Sequence, residues 1–345
     1  MRGSAAEVPT VIGHALQQWP RFLLVIAARP IGPAARLIGP AAWLIVIAAW
    51  LGCCGEARAA SPWTTDRAHK AVVIGGSISK YYAGNFGQFL HFGCKDLEVI
   101  NRGEVGAGAA KLLANLNSQV LQTQPVLDAM AHGKGWILLQ GGLNSVGAPE
   151  STLWSLTRLF QAAHAGGLKV LALTVTPWGS DDDPRFDAWN GLRLHRATVH
   201  VAEGLLGKLA PSRALGRRAA QRTLGKDEWL PQELPDIAVD LWRSVLRVGA
   251  KAPLRPAEPL RQTFASSPWR KHSDQRDQWV EAAQAVPRQF MDAKYRDFDH
   301  VHPNTAGHKL MAALACQQAP AQWQCDCDAI RRARWKGKVV PGTDG

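Results

Sequence analysis

The feature that most constrains the fold is an alternation of strand-like and helix-like sequence along the chain. Five short apolar runs are separated by longer stretches in which apolar residues recur at helical spacing. Each run is continuously apolar, as strands buried on both faces of a sheet are. The alternation predicts an open parallel sheet with helices on both faces. The predicted strands are 71–75, 96–100, 135–140, 168–175 and 237–241.

Helices are predicted between these strands and after the last one. The predicted internal helices are 79–92, 108–130, 150–165 and 186–205. A final helix over 304–316 follows Pro303, whose missing N–H costs nothing at a helix start. Two stretches, 206–235 and 249–296, break the alternation and are predicted to be insertions. Residues 331–345 are predicted to form a basic C-terminal tail.

Short motifs rich in glycine and polar residues follow three of the predicted strands and precede the last helix. Gly75-Gly76-Ser77 follows the first strand, residues 101–108 follow the second, and residues 141–145 follow the third. The fourth motif, 299–303, reads Asp-His-Val-His-Pro. Ligands bind at the carboxyl ends of the strands of an open parallel sheet, so we expect these motifs to meet at one edge.

These four motifs resemble those of the SGNH (GDSL-type) hydrolase family, in the same order. The family's Gly-Asp-Ser, Asn-x-x-x-x-Gly, Gly-x-Asn and Asp-x-x-His-Pro motifs match residues 75–77, 101–106, 142–144 and 299–303. One such motif is a weak signal, but four in order are a strong one. The resemblance covers about residues 70–315. It implies a flavodoxin-like three-layer α/β/α sandwich with about five parallel strands, in a hydrolase domain over 60–330.

Three residues then have the chemistry of a serine nucleophile and its activating pair. A serine hydroxyl is a poor nucleophile until a base takes its proton. His302, as a histidine, can serve as the base that takes the proton of Ser77. Asp299, three residues earlier, can orient the imidazole and stabilise its charged form. The resemblance implies that Ser77, Asp299 and His302 are catalytic, whereas Gly-Gly-Ser alone would indicate a turn.

The resemblance also implies an oxyanion hole made by the backbone N–H groups of Ser77 and Gly106 and the side-chain amide of Asn144. Such preorganised donors stabilise the negative oxygen of the transition state. A glycine at 106 leaves room for close approach of substrate. Two positions depart from the family pattern: Gly76 replaces an Asp, and Ser145 replaces a frequent Asp. We expect these departures to alter hydrogen bonding in the loops.

Other residues are weaker candidates for a site. Trp178 follows the fourth strand and is predicted to wall the acyl pocket, or else to be an ordinary core or surface tryptophan. The run Asp181-Asp182-Asp183 is predicted to be a solvated acidic loop, because no glycine turn or distal glutamate completes a calcium motif. No metal or cofactor is expected.

The first 59 residues differ in composition from the rest. Residues 37–52 are apolar but short for a membrane span and interrupted by Pro40. Ala57-Arg58-Ala59 fits a small-x-small cleavage site. Residues 1–59 are therefore predicted to be a signal peptide of an exported protein, periplasmic or extracellular. The alternative is a membrane anchor through residues 37–52, and only that alternative brings the protein into contact with a membrane.

Beyond the leader the chain has four cysteines: Cys94, Cys316, Cys325 and Cys327. An even number in an exported chain predicts two disulfides. Cys325 and Cys327 are too close in sequence to bond each other. Cys94 is therefore predicted to pair with one of them and Cys316 with the other; without export, four thiols are expected.

The charge of the chain bears on its partners. The 40 basic and 28 acidic residues give a formal charge of +12, which favours anionic partners. No basic-aromatic module or zinc-finger spacing indicates nucleic acid. The resemblance implies an exported serine esterase that acts on small acyl esters. Acylated carbohydrate is the first candidate substrate, and simple esters or lipids are equally open. An O-acyltransferase using the same acyl-enzyme and a catalytically silent glycan-binding protein are the alternatives; the oligomeric state is left open.

Overall fold

A computed structural model describes residues 63–130, 133–179, 188–217, 219, 228–247 and 290–342. The predicted leader, the acidic run 181–183 and most of the predicted insertion 249–296 lie outside these residues. Among the residues described, no helix is both long and apolar enough to cross a bilayer.

The predicted parallel sheet is confirmed. Five strands lie in the order β2-β1-β3-β4-β5, and every neighbouring pair is parallel. This is the strand order of flavodoxin-like folds. The strands are β1 His69–Gly75, β2 Leu97–Asn101, β3 Gly135–Gln140, β4 Lys169–Leu173 and β5 Ile237–Val239. All residues of β1 and β3 are buried, which accounts for the apolar runs 71–75 and 135–139 within them.

Helices cover both faces of the sheet and complete three layers. Their bounds are α1 Phe86–Gly93, α2 Ala109–Leu116, α3 Gln124–Met130, α4 Pro149–Ala165, α5 Ala188–Leu205, α6 Pro211–Ala214, α7 Thr305–Gln318 and α8 Cys327–Arg332. Val72 and Ile74 of β1 belong to a core shared with α2, α4 and α5. Ala71 and Val73 face the other way, into a core shared with α1, α7 and α8. The alternation of β1 side chains thus divides the apolar interior into two halves.

Two predicted helices differ from those observed. The helix predicted over 79–92 begins only at Phe86, because Asn85 forms a capping box there: its side chain accepts the N–H of Gln88, and Gln88 accepts the N–H of Asn85. Residues 77–80 form a turn instead. The helix predicted over 108–130 is interrupted after Leu116 by a π-helical turn, Asn117–Leu121.

Two disulfides join the C-terminal part of the domain to α1 and α7. Cys94, directly after α1, bonds Cys325. Cys316 in α7 bonds Cys327, the first residue of α8. Both bonds fit the predicted pairing. Within the predicted C-terminal tail, Arg334–Trp335 and Val339–Val340 pair as the antiparallel strands β6 and β7.

Candidate active site

Ser77 lies in a tight turn directly after β1. The backbone N–H of Lys80 donates to the Ser77 carbonyl at 3.0 Å, which closes the turn. A Cβ at Gly75 would lie 2.4 Å from the backbone oxygen of Gln140 in β3, so the close approach of the two strands at this point requires glycine. The half-buried Ser77 is thereby placed at the carboxyl edge of the sheet.

The loop before α7 brings Asp299 and His302 to the same edge. Asp299 Oδ1 accepts the backbone N–H groups of Val301 at 3.0 Å and His302 at 2.9 Å. Asp299 Oδ2 contacts Nδ1 of the His302 ring. On the other side of the ring, His302 Nε2 lies 2.7 Å from Ser77 Oγ. Ser77, His302 and Asp299 therefore form one continuous hydrogen-bonded chain.

The charge state of Asp299 follows from these contacts. Burial of its carboxyl acts to raise the pKa, but the hydrogen bonds from the backbone and ring of His302 and from the backbone of Val301 outweigh burial. The pKa of Asp299 therefore lies below its ordinary value, and the carboxylate is ionised at neutral pH. An ionised Asp299 is the acceptor that holds the proton of His302 on Nδ1.

Backbone hydrogen bonds fix the shape of this loop. His300 has a φ of 61°, a left-handed conformation uncommon for a non-glycine residue. The backbone N–H of Asp297 donates to the His302 carbonyl at 2.7 Å, and that of Gly179 donates to the His300 carbonyl at 2.6 Å. The segment after β4 thus helps to hold the loop that carries His302.

Tyr81 links the serine turn to the loop of Asp299 and His302. Its hydroxyl donates to Asp297 Oδ2 at 3.1 Å, and its ring stacks on His308 with centroids 4.7 Å apart. Burial and, after it, the hydrogen bond to Asp297 raise the pKa of Tyr81 to about 12, so the hydroxyl keeps its proton. Fully buried His308 is neutral at working pH, since burial lowers its pKa to about 3. No sequence pattern indicates this link, because its partners are far apart in the chain.

We expect Tyr81→Phe to lower kcat for ester hydrolysis about tenfold and to leave KM nearly unchanged, because losing a hydrogen bond to a charged group loosens the loop that aims His302. Steady-state kinetics on 4-nitrophenyl acetate measure both constants. Tyr82→Phe, at the exposed neighbouring tyrosine, keeps the aromatic ring; it is the matched control and should equal the wild type on this ester. If Tyr81→Phe loses thermal stability but keeps its kcat, the link is structural only.

The predicted oxyanion donors lie around Ser77. Neither the backbone N–H of Ser77 nor that of Gly106 donates to another described residue. Gly106 has a φ of 76°, which favours glycine, and a Cβ there would meet no atom within 4 Å. Asn144, in the turn Leu143–Ser145, donates one side-chain N–H to the carbonyl of Ala107 at 3.2 Å. The amide has a second N–H, which leaves a donor for a ligand.

The two departures from the family pattern have local structural roles. A Cβ at Gly76 would lie 2.9 Å from Asn144 Nδ2, so a larger residue would displace the Asn144 amide from its present place. Ser145 Oγ accepts the backbone N–H of Ala109 at 3.1 Å, at the first residue of α2. Glycine at 76 and serine at 145 therefore fit the observed positions of Asn144 and α2.

A cavity of about 60 Å³ lies beside Ser77. Its walls come from the four loops just described, namely Gly76, Ser77, Ile78, Ala107, Gln140, Gly141, Gly142, Leu143, Asn144, Val301 and His302. Trp178 does not line it: this residue is buried, and its indole N–H donates to Thr198 Oγ1 at 3.1 Å. Within the described ranges no group of three His, Cys, Asp or Glu residues could hold a metal ion.

Comparisons with known proteins give structural likeness only. No protein-family model matches the sequence, and a comparison with curated proteins also finds no match. A GDSL-like lipase from Bacteroides thetaiotaomicron is 14% identical, with 74% of this chain and 89% of the other covered and a TM-score of 0.43. A lipolytic G-D-S-L protein from Veillonella parvula is 16% identical over 72% and 97%, with a TM-score of 0.41.

A lipase/acylhydrolase from Enterococcus faecalis is 16% identical over 75% of this chain and 97% of the other, with a TM-score of 0.37. At these identities we take the chemistry from the residues of the site itself. The resemblance to the SGNH (GDSL-type) hydrolases thus rests on two observations. Four motifs occur in the family's order, and Ser77, His302 and Asp299 form one hydrogen-bonded chain.

Proposed function

We propose that the protein is a serine ester hydrolase that removes small acyl groups through an acyl-enzyme on Ser77. The observation that carries the proposal is the 2.7 Å contact between Ser77 Oγ and His302 Nε2, with Asp299 on the far side of the ring. This contact is within reach for proton transfer from a nucleophile to its base. The small cavity beside Ser77 has room for a short acyl group.

The reaction then has two halves. His302 Nε2 takes the proton of Ser77 as Oγ attacks the acyl carbon, and the charged imidazole is stabilised by Asp299. His302 returns the proton to the departing alcohol oxygen, which leaves the acyl group on Ser77. Water next gives its proton to His302 and attacks the acyl carbon, and the acid is released as Ser77 regains its proton.

The negative oxygen formed in both halves needs donors. We propose that the backbone N–H groups of Ser77 and Gly106 and the second N–H of Asn144 bind it. The absence of other described acceptors for the two backbone groups supports this assignment. Donors fixed before the reaction need no reorganisation when the charge develops, which makes them effective in the transition state.

We expect Asn144→Ala to lower kcat by about 10²–10³-fold with little change in KM, because an oxyanion donor acts in the transition state. Gln122→Ala, which removes an exposed amide outside the cavity, is the control. Steady-state kinetics on a small ester measure both effects. A rise in KM at constant kcat would instead place Asn144 in ground-state binding.

Covalent labelling tests the proposal as a whole. A fluorophosphonate probe should label the native protein on the peptide that contains Ser77, and heat-denatured protein should not react. Acetate release from an acetylated sugar identifies a hydrolase, whereas transfer of the acetyl group to an added sugar hydroxyl identifies an acyltransferase. Unlabelled protein that still binds glycan would support the catalytically silent alternative.

We also infer that the protein is exported. The two disulfides support this, because such bonds persist in oxidising compartments. The apolar leader supports it independently. We expect the mass of the protein recovered outside the cytoplasm to place its N-terminus near residue 60. An intact N-terminus in the membrane fraction would favour an anchor through residues 37–52.

A further inference from the structure

Two loops form one corner of the sheet edge beside Ser77. They are the serine turn with Lys80 and Tyr82, and the segment after β2 with Arg102 and Val105; we call these four residues the basic corner. The two loops are in contact, since the Asn101 side chain donates to the Ser79 carbonyl at 2.5 Å. A Cβ at Gly103 would lie 3.2 Å from the backbone nitrogen of Lys80.

The basic corner carries two positive charges that no described carboxylate neutralises. Lys80 and Arg102 are both exposed, and neither forms an ion pair with a described residue. The nearby carboxylate of Glu104 is occupied: it accepts a hydrogen bond from Asn115 at 2.8 Å and lies 3.5 Å from Lys111. The corner is therefore open to an anionic group from outside.

Exposed apolar side chains surround the same edge. Among the described residues, five large hydrophobic side chains are exposed, and three of them belong to loops that build the candidate site. Tyr82 is 80% exposed after the serine turn, Val105 is 71% exposed next to Gly106, and Phe298 is 87% exposed next to Asp299. A concentration of exposed apolar surface at one place is characteristic of a binding site.

We propose that the basic corner is a subsite for an anionic sugar chain that carries the acyl group to Ser77. This inference rests on the proposed function, whose substrate it specifies. Lys80 and Arg102 attract the carboxylates of the sugar chain, and the exposed ring of Tyr82 packs on the apolar face of a sugar ring. The cavity of about 60 Å³ that the described residues line fits a short acyl group, which favours a sugar ester over a lipid.

Binding is tested on full-length Ser77→Ala, which keeps the corner and lacks the nucleophile. We expect it to bind polygalacturonate at low salt, more weakly at high salt, and to bind neutral xylan poorly. Adding Lys80→Gln and Arg102→Gln should weaken polygalacturonate binding about tenfold. Lys95→Gln, an exposed lysine at the opposite edge of the sheet before β2, is the matched control and should bind like Ser77→Ala alone.

Hydrolysis gives a second measurement. The preference is measured as kcat/KM for acetylated polygalacturonate divided by kcat/KM for acetylated xylan. In otherwise wild-type protein, Lys80→Gln combined with Arg102→Gln should lower this ratio about tenfold. Equal binding of both polymers overturns the proposal, as does a double variant that behaves like Lys95→Gln. Preference for phosphatidylglycerol vesicles over polygalacturonate overturns it in favour of a lipid surface. Binding without acetate release would refute the proposed hydrolysis and leave the subsite standing.

Discussion

Ser77→Ala is expected to lower kcat for 4-nitrophenyl acetate by about 10⁴-fold or more, because serine and histidine act as one unit and neither replaces the other. The thermal midpoint should stay near that of the wild type, since the described hydrogen bond of the hydroxyl is to the His302 ring. Initial rates with purified protein, corrected for spontaneous hydrolysis, measure the loss.

Ser118→Ala is the matched control for this variant. Ser118 is an exposed serine whose hydroxyl bonds only the carbonyl of Ala114 among the described groups, so its loss should leave the rate unchanged. If Ser77→Ala keeps more than a tenth of the wild-type turnover, Ser77 is not the nucleophile and the proposed function is wrong.

Asp299→Asn is expected to reduce kcat by about 10⁴-fold while leaving the fold intact. The amide oxygen can still accept the backbone N–H groups of Val301 and His302. A neutral amide cannot stabilise the positive imidazole, and it favours the ring tautomer that carries no proton on Nδ1. The wild-type carboxylate is ionised even in mild acid because its pKa is lowered, so the contrast between Asp and Asn should persist from pH 5 to pH 8.

A pH–rate profile with Asp328→Asn as control separates this effect from a general loss of charge. Asp328 is an exposed carboxylate paired with Arg331, and its replacement should leave kcat unchanged. A profile in which Asp299→Asn approaches the wild-type rate at any pH in this range would show that the Asp299 charge is dispensable.

The strands were predictable because their sequence carries the burial pattern directly. The predicted strand 135–140 coincides with β3, since each of its residues is buried and the run is bounded by Gly135 and the glycine pair after Gln140. The predicted strand 168–175 extends two residues beyond the end of β4 at Leu173. Thr174 leaves the strand, because its Oγ1 accepts the backbone N–H groups of Leu241 and Trp242. No pattern near Thr174 indicates a partner so distant in the chain.

The same distinction between local motifs and distant contacts applies to the candidate site. Ser77 and His302 lie in short local motifs, so their identity was visible in the sequence. The bond from Tyr81 to Asp297 spans 216 residues and belongs to no motif, so only the folded chain reveals it. The fit of Gly76 against Asn144 was equally hidden, because it depends on the approach of two loops from different strands.

The order of synthesis determines when the candidate site can assemble. Ser77 and His302 are separated by 225 residues, and the Cys94–Cys325 bond closes a loop of 231 residues around nearly the same stretch. During synthesis the serine turn emerges long before its base, and β1 can pair with β3 while Ser77 still lacks a proton acceptor. A partly made chain therefore lacks the contact between Ser77 and His302 until α7 docks on the sheet. The Cys94–Cys325 bond then ties the segment after α7 to the end of α1. On the proposed function, hydrolysis begins only once the loop before α7 has reached Ser77.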